Sequence, residues 1–113
     1  MKTSSKKGKG RRLQNFVRDR LLDSFPILEP DDVKTAIMGE SGEDIKLSPA
    51  AKREIPYSFE CKNQERLSIW ESLKQAETNC NDRTPVLIFK RNRSETYACL
   101  KFSDFMELIN GKQ

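Results

Sequence analysis

The chain has 113 residues, 35% of them hydrophobic and 34% charged, with a net charge of +4, which suits one domain with a modest core. No apolar run approaches the ~20 residues that span a bilayer, and the basic N-terminus lacks the apolar stretch of a secretory signal, so no membrane association and a cytoplasmic location are expected. There is no histidine, and the three cysteines, Cys61, Cys80 and Cys99, are widely spaced; this disfavours a structural zinc site and excludes histidine-based catalysis.

Residues 1–20 carry eight basic side chains against Asp19 alone, ahead of a slightly acidic body. Such a stretch suits a polyanionic partner whose affinity falls with salt, or a solubilising tail. Residues 1–9, rich in Lys, Ser and Gly, have nothing to bury and are expected to form a disordered arm; residues 10–113 are expected to form the single domain. From Gly10 to Ser24, Leu13, Phe16, Val17 and Leu21 recur at helical spacing, with Arg11, Arg12, Arg18 and Arg20 on the other face. Pro26 and Pro30 break the chain. Asp31 to Met38 reads as a short helix or a strand. After a Gly-rich loop, Asp44-Ile45-Lys46-Leu47 alternates like a half-buried strand, and Ser48-Pro49 opens a loop or single helical turn ending near Pro56.

In Tyr57-Ser58-Phe59-Glu60-Cys61-Lys62, Tyr57, Phe59 and Cys61 share one face of a strand and Ser58, Glu60 and Lys62 the other. Ser68 to Asn79 reads as a helix with Ser68 and Glu71 as a capping box and Ile69, Leu73 and Ala76, with Trp70, as its apolar stripe; Trp70 is read as core or dimer interface. Pro85 to Phe89 suits a central strand and Thr96 to Phe102 the returning one. Arg91 and Arg93 fall in the turn between them, as phosphate contacts or a plain charged turn. Ser103 would cap a last helix to Ile109, with Gly111 past its end. The order predicts an α/β fold: helices around one central mixed sheet.

Asp44, Glu60 and Lys62 are the candidate constellation. If their strands are neighbours, the two carboxylates and the Cys61 backbone carbonyl would hold Mg2+, with Mn2+ able to substitute, because magnesium prefers oxygen ligands and is commonly held by one or two carboxylates plus substrate phosphate. Lys62 would orient or deprotonate an attacking water, or offset charge on the phosphate. Glu40 and Glu43 flank the site and are read as solvated loop acids. Gln64 would touch DNA or begin a loop.

Residues 9–102 resemble the PD-(D/E)XK nuclease superfamily, and within it the archaeal-type Holliday junction resolvases and their small phage relatives. The resemblance is carried by Lys9-Gly10 before the first helix, Gly42-Glu43-Asp44-Ile45, Phe59-Glu60-Cys61-Lys62, and Thr84 to Lys90 after the second helix. It implies a restriction-endonuclease-like core of αβββαβ order with an extra C-terminal helix, and a Mg2+-dependent DNA endonuclease with no organic cofactor. It further implies a homodimer in a bacterial or archaeal cell, with a phage or mobile element as a source. Gln14 stands where the resolvases carry a glutamate, Ser41 is the nearest candidate for their loop serine, and Gln75 resembles a functional glutamine of related nuclease branches. The expected DNA-binding residues are Lys6, Lys7, Lys9, Arg11, Arg12, Arg18 and Gln64. A four-way junction is the first substrate expected, a sequence-specific, nicking or homing endonuclease the second; a non-catalytic DNA-binding module and a protein-interaction domain with a basic tail are readings of other classes.

Overall fold

The computed structural model describes residues 3–37 and 39–111. Residues 1 and 2 of the expected arm, and Met38, lie outside them. Helix α1 runs Thr3–Ser24, so residues 3–9 are its first turns and not a disordered arm. Lysine is a good helix former and no proline interrupts the segment, so the helix propagates through Gly8 and Gly10. Leu13 and Val17 are buried, whereas Phe16 is exposed, against its reading as part of the apolar stripe.

A 3-10 turn (Pro30–Asp32) leads into strand β1 (Val33–Thr35), which pairs antiparallel with β2 (Ile45–Leu47); the strand reading of this ambiguous segment is the one found. Ser48 caps the short helix α2 (Pro49–Glu54) by accepting the Ala51 N–H at 3.1 Å, with Pro49 in the first turn, where its missing donor costs nothing. The same hydroxyl donates to Asp32 at 2.6 Å, tying the turn to the helix; this bond, then the Glu29 amide, holds the Asp32 carboxyl below its ordinary range.

Strand β3 (Tyr57–Asn63) pairs parallel with β4 (Thr84–Lys90), and β4 antiparallel with β5 (Tyr97–Cys99). Helix α3 (Ile69–Asn79) makes the parallel crossover. The expected α/β architecture is present, but its sheet is in two pieces: β1–β2 and the mixed β3–β4–β5. They meet where the Asp44 amide donates to the Phe59 carbonyl at 3.3 Å. The returning strand is shorter than expected.

Helix α1 packs on β3 and β1, and α3 packs on β3 and β4. The core joins Leu13 and Val17 of α1 to Val33, Ile45, Leu47, Phe59, Cys61 and Val86 of the strands. Burying each large aliphatic there contributes roughly 1.5–3 kcal/mol. The opposite face of β3 carries Ser58 and Glu60, both buried although polar.

Three local expectations fail. Ser68 makes no side-chain cap; its carbonyl instead accepts the Ser72 hydroxyl at 2.8 Å. Trp70 is not core: it is 83% exposed, because α3 turns Ser72 and Ala76 to the sheet. The last helix, α4 (Phe102–Ile109), has Lys101 rather than Ser103 at its N-cap, and buries no residue. Gly111 follows it at φ 74°. No helix among the described residues is long and apolar enough to cross a membrane.

Candidate active site

The loop before β2 sets the position of Asp44. Gly42 sits at φ 96°, a region glycine enters without a Cβ penalty, and an added Cβ would lie 3.2 Å from Lys46 Nζ. That ammonium donates to the Ser41 carbonyl at 3.4 Å and pairs with Glu40, also at 3.4 Å, so a residue of β2 holds the loop closed. Asp44 then accepts the Cys61 N–H through Oδ2 at 2.7 Å. In an extended strand a residue's N–H and C=O point to the same edge. The Cys61 carbonyl therefore faces the Asp44 side as well, away from the β4 ladder.

Glu60 lies on the α3 face, 2% exposed. Its Oε2 is 3.7 Å from Lys62 Nζ, and its Oε1 accepts from Asn79 Nδ2 at 3.5 Å. Burial, then the neighbouring Asp44 charge, push the Glu60 carboxyl up to about 7, against Lys62 and Asn79. Burial also raises Asp44, opposed by the Cys61 amide, by Lys62 and Lys46, and last by the Glu60 carboxyl. A buried and a half-buried carboxylate that raise each other's cost of ionising resist ionising together, and a divalent cation between them removes that cost. Burial pushes the Cys61 thiol up as well, so it is no nucleophile.

Asp44, Glu60, Cys61 and Lys62 open onto one cleft of about 770 Å3. Gln14 reaches it from α1 and Gln75 from α3, with Gln64 at its rim. The structure thus gathers all but one of the expected catalytic residues. The exception is Ser41, which is exposed outside the cleft and contributes only its carbonyl, to Lys46. Among the described residues no cluster of three or more Asp, Glu, Cys or His side chains forms. The donor set is two carboxylates and a backbone carbonyl, which fits a magnesium ion that keeps several waters and leaves room for a phosphate oxygen.

Of the expected DNA contacts, Lys6 and Lys9 line the cleft, while Lys7 and Arg11 line an adjoining groove that shares Gln14 and Asp44. Arg12 and Arg18 line neither. Arg12 folds back beside Gly8, and Arg18, one turn beyond Gln14, pairs with Asp19 at 2.8 Å.

Sequence reasoning missed four residues. Asn79 donates to Glu60 from 19 positions away, and nothing local marks it. Asn63 donates to the Lys9 carbonyl at 3.1 Å, clasping α1 to the end of β3, and its position directly after Lys62 was a usable signal. Lys46 braces the loop. Arg83 binds the Glu43 carboxylate and donates to the Tyr57 carbonyl at 3.1 Å. Glu43 is therefore neither solvated nor a ligand: it is the buried half of an ion pair with side-chain exposures of 6% and 9%. Arg83→Ala strands that carboxylate, so it is expected to cost about 3–5 kcal/mol and to lower the melting temperature by roughly 10–20 °C. Glu43→Leu with Arg83→Leu should recover most of the loss in the same thermal scan.

No family model, curated protein or solved structure matches this chain.

Proposed function

We propose that this protein is a Mg2+-dependent DNA endonuclease of the PD-(D/E)XK type. The observation that carries the reading is the convergence of Asp44, Glu60 and Lys62 in one cleft beneath the basic first turns of α1. Asp44, Glu60 and the Cys61 carbonyl would hold the ion, which supplies positive charge at the scissile phosphate. Lys62, 3.7 Å from Glu60, positions the attacking water and moves its proton or compensates its charge. Gln14 and Gln75 orient water or phosphate by hydrogen bonds without adding charge. Lys6 and Lys9 neutralise backbone phosphates, so binding weakens steeply with salt.

The preferred substrate is branched DNA, a four-way junction first. The support is the likeness of Gly42-Glu43-Asp44-Ile45 and Phe59-Glu60-Cys61-Lys62 to the corresponding motifs of the junction resolvases. Labelled junction, nicked, linear duplex and single-stranded DNA, incubated with Mg2+ or Mn2+, test both claims. Cleavage of junctions of unrelated sequence is expected; cutting of one linear sequence alone would make it a site-specific endonuclease. Equal behaviour of wild type and Lys62→Ala on every substrate would exclude the nuclease.

Two copies would supply the paired cuts a junction needs. The supporting feature is α4: Phe102, Phe105, Met106 and Ile109 recur at helical spacing and are all exposed. An eight-residue helix is too short to persist without tertiary packing. Sedimentation of the wild type should give twice the 13.1 kDa of one chain. Phe105→Glu with Ile109→Glu should give the monomer; a wild type that is monomeric at tens of micromolar would remove this part of the reading.

A further inference from the structure

The catalytic face of the sheet continues sideways into aromatic residues. Lys62 is in register with Phe89 on β4, and Phe89 with Tyr97 on β5. Paired residues project to the same face, so lysine, phenylalanine and tyrosine form one row across three strands. With adjacent strands ~4.8 Å apart, Tyr97 stands about 10 Å from Lys62 in the backbone. The two rings have centroids 5.9 Å apart and are tilted by 31°. They wall a groove of about 330 Å3 with Leu67 and Ile69, and Lys90, Arg91 and Ser94 also line it. This groove shares Gln64 and Glu65 with the carboxylate cleft, so the two are continuous.

We propose that this groove is a nucleobase subsite that receives one unpaired nucleotide of the DNA strand lying in the cleft. The proposal rests on the endonuclease reading and deepens it by narrowing the substrate class: branched DNA in which a base at the branch point, beside the cut, is left unpaired. Tyr97 is 55% exposed at the sheet edge, so its ring is open to a ligand as well as to Phe89. Every base offers a flat face that stacks on such a ring, and positive side chains at the rim suit the flanking phosphates. The one acid at the junction of groove and cleft is already engaged: Glu65 accepts the Asn92 N–H at 2.5 Å and lies 3.7 Å from Lys9. Stacked DNA rises ~3.4 Å per nucleotide, so a base on Tyr97 is within a few nucleotides of the phosphate at Lys62. A paired base is held in its stack and cannot enter without flipping, which is the source of the selectivity.

The test is binding by fluorescence anisotropy with Mg2+, in protein carrying Lys62→Ala so that the DNA stays intact. Tyr97→Ala is expected to weaken binding of a duplex with a short single-stranded gap about 10-fold, the size of one base–aromatic stack, while leaving fully paired duplex of the same length unchanged. Tyr97→Phe, which keeps the ring, should restore gap binding. 2-Aminopurine in the gap should be quenched by protein with Tyr97 and not by Tyr97→Ala. Equal weakening on both DNAs, no weakening, or unquenched 2-aminopurine overturns the subsite. The two readings fail separately. Tyr97-dependent quenching in a protein whose Lys62-intact form never cuts DNA leaves the subsite and removes the nuclease; cleavage with gap binding indifferent to Tyr97 does the reverse.

Discussion

Lys62→Ala is expected to slow DNA cleavage by about 10²- to 10⁴-fold, the range lost with a positioned proton-transfer group or charge-stabilising donor, while DNA affinity changes only a few-fold. The separation follows from where the lysine sits. Its ammonium faces the Glu60 carboxylate inside the cleft, whereas Lys6 and Lys9 at the wall are placed to carry phosphate binding. Folding should survive, because the Glu60 carboxyl can take up a proton when the neighbouring cation is removed. Lys62→Arg separates the two roles of the amine. Arginine keeps the charge but does not release its proton near neutral pH, so an inactive arginine variant assigns Lys62 to proton transfer and an active one to charge. Single-turnover rates on a junction give the readout, and a rate within threefold of wild type for the alanine variant would end the proposed mechanism.

Glu60→Gln is expected to abolish cleavage and magnesium binding and, at the same time, to stabilise the metal-free protein at alkaline pH. Glu60 has a folded-state carboxyl raised from 4.5 to about 7. The folded state therefore holds this proton more tightly than the unfolded chain does. Its contribution to stability is fully present below pH 4.5 and is lost as pH rises through about 7. At pH 8 the buried charge costs on the order of 3 kcal/mol, at 1.36 kcal/mol per pH unit. Glutamine has the same shape and no charge, can still accept from Asn79, and can donate to Asp44. Thermal scans without divalent metal should place Glu60→Gln several degrees above wild type at pH 8 and level with it at pH 4. Saturating magnesium should close the gap at pH 8 by stabilising the wild type alone. A variant that melts below wild type at pH 8 would show that the Glu60 charge is satisfied by the fold itself.

Local chemistry was legible in consecutive residues. The alternation in Tyr57 to Lys62 put Glu60 and Lys62 on one face before any partner strand was known. Ser48-Pro49 marked a loop or a single helical turn, of which the helical one is found, and the spacing of Leu13 and Val17 found the buried side of α1. Each depends only on backbone period, on φ preferences or on a side chain reaching its own backbone. Glu43 and Asp44 were not separable this way: adjacent acids in one loop, they diverge because Arg83, 40 positions away, takes the first and the Cys61 amide, 17 away, takes the second. Trp70 looked like part of an apolar stripe, but which side of α3 met the sheet was set by the packing of Ser72 and Ala76.

The sequence by itself determined the α/β class and most of the elements, and it named the two carboxylates and the lysine, because period and propensity are properties of neighbouring residues. Only the tertiary structure decided that these three share a cleft, that Glu60 is buried against Asp44, that Asn79 reaches it, and that Tyr97 lies in register with Lys62 across the sheet. Those relations come from strand register and helix docking, which join residues far apart in the chain and are chosen by the core as a whole.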